Sequence, residues 1–262
     1  MEQVQHTMYI YNKINRYMIK RNYYKVVRVF PDPSSYFYIK NETMSESQID
    51  FDYGWETTLN LEYSFDKVNW KSVSNIWNIL VPADSYVYFR NSSRTYGTND
   101  VYDKMSLNFD ASIGGDVRTL FDYTDVDSVT AIPAYGLNRI ITNYDNDTTN
   151  ISNLSFRGIT SIGDYGLQDC FKYCNYRGTK GVDLRDVTTL GEGALNDMYN
   201  NCANLTEVYA PNVSTWDENK TNGWLNAVAP TGVVYKPSTL DIPTDTPSGI
   251  PSGWTTQDYP TI

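Results

Sequence analysis

VTAIPAYGLNRI (residues 129–140), ITSIGDYGLQDC (159–170) and VTTLGEGALNDM (187–198) can be laid under one another almost without adjustment. Each copy opens on a β-branched residue, then Thr, with an apolar residue at the fourth position, which predicts a short extended segment with one buried face. The second half changes period. Leu137, Ile140, Ile141 and Tyr144 fall at i, i+3, i+4 and i+7, as do Leu167, Cys170, Phe171 and Cys174, and again Leu195, Met198, Tyr199 and Cys202. That spacing places four apolar side chains on one helical stripe, so one short helix is expected in each copy. Downstream, LSFRGI from Leu154, VDLRDV from Val182 and VYAPNV from Val208 read as strand edges that run straight into the next copy.

Strand, turn, helix and loop therefore recur about every 28 residues, with a decayed fourth copy from Val213. A unit of this size cannot bury its apolar face alone. Stacking gives Leu167, Phe171 and their counterparts a neighbour on each side, which predicts a short solenoid over residues 121–222. The raw apolar ends of such a stack predict atypical capping segments before and after it.

Composition narrows the classes of function. With 262 residues and 40% apolar content the chain has ample material for a core. A net charge of −10 argues against nucleic acid, because phosphate contacts need clustered cations. The charge is segregated: residues 1–34 carry +4 and the rest −14. No stretch approaches the roughly 18 apolar residues of a membrane span, so no membrane insertion is expected. MEQVQHTMYIYNKINRY has no apolar core between Glu2 and Lys13, which predicts a protein made and kept in a cytosol. Three cysteines, Cys170, Cys174 and Cys202, form an odd set and read as buried thiols of the repeats.

Residues 1–34 form a basic, tyrosine-rich arm that ends at PDPSS. Met8, Tyr11 and Ile14 fit a helical stripe, while YYKVVRVF fits a strand equally well. From Tyr36 the pattern becomes short strands, YFYIKN, IDFDYGW, TLNLEYSF and VYFRN, with a hairpin around SFDKVNW. Such spacing predicts a small antiparallel β-sandwich over residues 35–120. SIGGD from Ser112 predicts a flexible turn, and most of the 23 tyrosines are assigned to inward-facing packing. Residues 223–262 hold Pro230, Pro237, Pro243, Pro247, Pro251 and Pro260 without periodicity, which predicts an irregular cap adding no further elements. The fold class expected is β-rich and mixed α/β: a sandwich, then a short irregular solenoid, then a C-terminal cap.

LEYSFDKVNWKSV, PADSYVYFRN, the GLQDCFKYC and ALNDMYNNCANLTEV repeats and the closing WLNAVAPTGVVYKPSTL and GIPSGWTTQDYP resemble modular surface and virion proteins of gut Bacteroidales and their phages, the crAss-like phages among them. The resemblance spans Tyr36 to Pro260 and implies that the repeats are irregular leucine-rich repeats of the bacterial surface-antigen type. It departs at Tyr144, where the other repeats carry Cys, and it leaves the basic arm without a counterpart. The resemblance carries no common catalytic site, so it implies a binding or structural role.

The residues themselves suggest no chemistry of turnover. A nucleophile needs a base, and the single histidine is His6. Asp122, Asp125 and Asp127, or Asp145 and Asp147, offer oxygen ligands for Ca²⁺ but lack the Gly and distal Glu of a calcium loop. No enzyme, cofactor or metal site is expected. The expectation is a non-enzymatic structural protein on the exterior of a phage capsid or tail, as a head fibre or decoration, assembled in the host cytoplasm. Its partners would be capsid or tail proteins, further copies of itself in a dimer or trimer, and a host surface glycan or protein. Lys13, Arg16, Tyr17, Lys20, Arg21 and Lys25 are the candidate anchoring residues. A bacterial surface adhesin or carbohydrate-binding protein is the alternative.

Overall fold

Alternation along two strands builds the first layer. In β1 (Phe37–Asn41) and β6 (Tyr86–Asn91), Phe37, Ile39, Val87 and Phe89 share one face and are buried, while Tyr38, Lys40, Tyr86, Tyr88 and Arg90 share the other. The computed structural model describes residues 36–52, 61–73, 78–91, 104–142, 149–174 and 180–260. With β3 (Leu61–Ser64), β4 (Lys71–Ser72), β8 (Ala111–Asp116) and β11 (Thr149–Ser155) these strands form a six-stranded sheet, ordered β11-β8-β1-β6-β3-β4. A second sheet is ordered β10-β7-β2-β5, from β10 (Ile141–Thr142), β7 (Lys104–Leu107), β2 (Ser47–Asp52) and β5 (Asn78–Val81). Ile49, Phe51, Ile79, Val81, Met105 and Leu107 of this sheet are buried, and the rings of Phe51 and Phe89 meet 6.4 Å apart between the layers. Asn41 is buried, and its amide nitrogen donates to the Val81 carbonyl at 3.0 Å, joining β1 to the end of β5.

Both sheets continue into the repeats. β10 runs parallel to β7, and β11 runs parallel to β8 with an irregularity between Asn150 and Asn153. SIGGD is part of strand β8 rather than a turn. Its glycines serve close packing: a Cβ on Gly114 would collide with the Tyr38 hydroxyl, and one on Gly115, which has φ 84°, would collide with the Tyr36 carbonyl. The expected hairpin forms, with Glu62 opposite Ser72 and Tyr63 opposite Lys71. Asp66 closes it, accepting from the backbone N–H groups of Val68 and Asn69 at 2.8 and 2.7 Å. These bonds favour the carboxylate and hold Asp66 below the usual carboxylate range.

The three aligned copies lie side by side. β9 (Ala131–Ile132), β12 (Ser161–Ile162) and β14 (Thr189–Leu190) pair in parallel, Ile132 beside Ile162 beside Leu190. Beyond each strand the expected helix is absent. In its place is a ribbon of nested turns in which alternate backbone N–H groups divide their bonds. Gly166, Gln168, Cys170, Lys172 and Cys174 donate to the carbonyl three residues back, while Tyr165, Leu167, Asp169, Phe171 and Tyr173 donate across to the next copy. Every fourth residue is left-handed: Tyr165, Asp169 and Tyr173 at φ 55°, 52° and 62°, then Gly193, Asp197 and Asn201 at 58°, 52° and 64°. A right-handed helix cannot contain such residues, nor can its N–H groups bond sideways. The apolar stripe nevertheless stays inside, since Leu167, Cys170, Phe171, Cys174, Leu195, Met198, Tyr199 and Cys202 are all buried.

The C-terminal region adds strands, contrary to the expectation of none. β13 (Lys180–Asp183), β15 (Glu207–Tyr209), β16 (Gly232–Lys236) and β17 (Trp254–Asp258) form a parallel sheet in that order. Three indoles fasten the segment: Trp216 donates to the Ser248 carbonyl, Trp224 to Gly249 and Trp254 to Ala229, at 2.6, 2.8 and 2.7 Å. Trp224, Val234, Leu240, Ile242 and Ile250 of this proline-rich segment are buried. The one α-helix among the described residues is α1 (Glu218–Thr221), capped by Asp217.

Candidate functional site

The arm residues Lys13, Arg16, Tyr17, Lys20, Arg21 and Lys25 lie outside the described residues. So do Tyr144, Asp145 and Asp147. Asp122 is committed locally, accepting from the Thr124 hydroxyl at 2.6 Å and from the backbone N–H groups of Thr124 and Asp125. Asp127 meets the Arg118 guanidinium. Among the described residues no group of three or more His, Cys, Asp or Glu is arranged to hold a metal ion. Burial pushes the Cys174 thiol up to about 12 and those of Cys170 and Cys202 well above their ordinary value, so these sulfurs stay protonated packing groups.

Two surfaces remain. One is the outer face of the six-stranded sheet, where Tyr38, Tyr86 and Tyr88 lie. Tyr86 and Tyr88, two residues apart on β6, stack 6.0 Å apart and only 7° from parallel, with Tyr38 edge-on to Tyr86 at 5.3 Å. Burial is the main cause that raises the Tyr38 phenol above its usual value. Farther along, the Arg90 guanidinium sits 4.0 Å from the rings of both Trp70 and Tyr123, and its Nε donates to Glu62 at 2.7 Å. Lys40 bonds Glu42 and Asp84; burial opposes its charge, but those bonds outweigh burial and hold its pKa above the ordinary lysine value. Arg90 and Lys40 are thus spent on packing and pairing. Tyr86, 40% exposed, is the ring this face offers to solvent.

The other surface follows the nested-turn ribbon. Its left-handed positions stack in columns from copy to copy: Tyr135, Tyr165 and Gly193 in one, Arg139, Asp169, Asp197 and Gly223 in the next. Asp169, itself buried, accepts from Arg139 at 2.9 Å and Lys172 at 2.8 Å, which binds the second column together. In the first column Tyr135 and Tyr165 stack at 5.2 Å and 18°. At Gly193 the rings stop. A cavity of about 410 Å³ lies there, lined by Tyr165, Glu192, Asn196, Glu218, Asn219 and Asn222 together with Thr246, Pro247 and Ser248 of the cap. An adjoining cavity of about 520 Å³ continues along Asp197, Leu225 and Ala227 towards Asp245 and Pro251.

None of the lining residues is among the candidate site residues read from sequence. A signal existed in the alignment of the copies, where Tyr, Tyr and Gly occupy one column and, in the third copy, Gly193, Asp197 and Asn201 recur every fourth residue. For the sheet face the signal was YVYFR, in which Tyr86, Tyr88 and Arg90 alternate with Val87 and Phe89. The chain matches no protein-family model, no curated protein and no solved structure.

Proposed function

We propose that the chain is a non-enzymatic structural protein on the exterior of a phage capsid or tail, assembled in the host cytoplasm and attached through residues 1–34. In this reading the facing sheets are a sandwich and the stacked copies are a short solenoid of irregular leucine-rich repeats closed by the C-terminal cap. The observation that carries it is the side-by-side stacking of copies whose last turn is fastened by Trp216, Trp224 and Trp254. A stack whose last apolar turn is covered by further chain presents polar ribbon surface rather than bare core, which suits a displayed module. The described carboxylates and thiols support a non-catalytic role, since the most buried of them close turns, pair with cations or pack.

Repeated display on a particle commonly involves symmetric copies, so a dimer or trimer contacting capsid or tail protein is part of the proposal. The test compares particles assembled with the full chain and with a version starting at Ser35. Retention of the full chain and loss of the truncated one is expected. Equal copy number would remove the arm as anchor. A second reading, a surface adhesin or carbohydrate-binding protein, is favoured by one observation, the tyrosine ladder that ends at a polar cavity beside Tyr165.

A further inference from the structure

We propose that the notch beside Tyr165 is a sugar-binding site that takes one uncharged hexose unit of a surface glycan against the Tyr165 ring. The inference rests on the reading of the chain as a host-facing recognition protein and assigns that role a place and a ligand chemistry. The cavity of about 410 Å³ falls within the roughly 300–1,000 Å³ of small-molecule sites. Its floor is set by the first ribbon column. Tyr135 stacks on one side of Tyr165, and the Gly193 backbone packs so closely against the Cδ1–Cε1 edge that a Cβ there would collide with the ring, so a sugar meets only the part of Tyr165 that lines the cavity. Gly193 stands at φ 58°, the conformation that Tyr135 and Tyr165 also adopt at 58° and 55°, so the step in the ladder comes from the missing side chain.

A hexose has an apolar face of C–H groups and a rim of hydroxyls, each both donor and acceptor. A flat, amphipathic tyrosine ring matches the face. The rim meets carboxylates and amides. Glu192 and Glu218 line the cavity as acceptors, and Asn196, whose Oδ1 already accepts from the Asn222 N–H at 2.9 Å, has its Nδ2 left as donor. The Tyr165 hydroxyl donates to Glu192 at 3.3 Å, which fixes the ring's orientation. Glu192, Glu218 and the nearby Asp164 make the site electronegative, so sialylated, sulfated or uronic sugars are repelled. The sheet face differs: Lys40, over the Tyr86 ring, is paired with Glu42 and Asp84, and Arg90 is held by Trp70, Tyr123 and Glu62, so its charged groups are engaged with one another.

The experiment titrates the intact chain with neutral gluco-, manno- and galacto-oligosaccharides and with one sialylated and one sulfated glycan, read by saturation-transfer NMR and calorimetry. At least one neutral oligosaccharide is expected to bind, with affinity about tenfold weaker in Tyr165→Ala, the loss of one stacked ring. Tyr86→Ala should leave binding unchanged. Because Tyr165→Ala also removes a ring from the ladder, Asn219→Trp is the second variant: Asn219 is exposed, and the larger side chain fills the notch without touching the core. Binding abolished by Asn219→Trp, with circular dichroism and melting unchanged, supports the site. Absence of binding by every neutral glycan overturns it, as does preference for an acidic one or binding that survives both variants. Particle retention is read by copy number and involves no sugar, so a retained chain that binds no glycan sinks the site and leaves the display reading standing.

Discussion

Cys170, Cys174 and Cys202 are fully buried, and beside them the Tyr199 hydroxyl accepts the Val182 N–H at 2.9 Å. The Cys202 thiol donates to the Phe171 carbonyl of the preceding copy at 3.1 Å. Each group is neutral because a charge there would have no solvent, and burial raises all four above their ordinary values. The sign of the pH effect follows. An unfolded thiol loses its proton near 9, whereas Cys174 in the fold holds it to about 12. As pH rises through that window the unfolded chain binds fewer protons than the folded one, so stability is fully present below about pH 9 and declines towards pH 12. Melting midpoints should be flat from pH 7 to pH 8.5 and fall steadily above it. In the same samples a thiol-specific reagent at pH 8 should find no reactive cysteine in the native chain and three in denaturant. A fast-reacting native thiol would contradict this account.

The same residues belong to the ribbon, where sequence and structure part company. Apolar side chains at i, i+3, i+4 and i+7 suit a helix of 3.6 residues per turn, and they suit a nested-turn ribbon of period four almost as well. Burial of Leu167, Cys170, Phe171 and Cys174 was therefore legible, and the backbone beneath them was not. What separates the two is the hand of every fourth residue, and Tyr135, Tyr165 and Tyr173 adopt the left-handed conformation without being Gly or Asn. The strands β1 and β6 were legible through their alternation; the sharing of their tyrosines with the outer face depends on what packs on which side. Tyr173 offers a direct test of the ribbon, since it is 45% exposed and stands at φ 62°. There Tyr173→Gly should be more stable than Tyr173→Ala by about 1 kcal/mol, because only alanine is strained in that region. In a helix the order reverses by a similar amount. Urea denaturation of the two variants distinguishes the cases.

Residues 33–262 form one compact unit, and the strand pairing explains why. The boundary between residues 120 and 121 reads from sequence as the junction of a sandwich and a stack of repeats. Across it, β11 contributes an edge strand to the sheet of β8, and β10 does the same for β7. Neither pairing was legible, because β10 has two residues and a parallel partner chosen across the fold leaves no periodic mark. Buried Val117, Leu120, Phe121, Val129 and Ile132 carry one continuous core through the junction. Cutting there would strip β7 and β8 of their parallel partners β10 and β11, leave each with one bare edge and uncover Leu120 and Phe121. Fragments 36–120 and 121–262 should therefore each be insoluble or molten when expressed alone, whereas residues 36–262 unfold in a single transition with coincident circular dichroism and tryptophan fluorescence. Trp70 reports from the hairpin and Trp216, Trp224 and Trp254 from the cap, so fluorescence samples both ends of that core. Two resolved transitions, or a folded and cooperative 121–262 fragment, would show that the added edge strands are incidental and that the repeats are stable without the sheets.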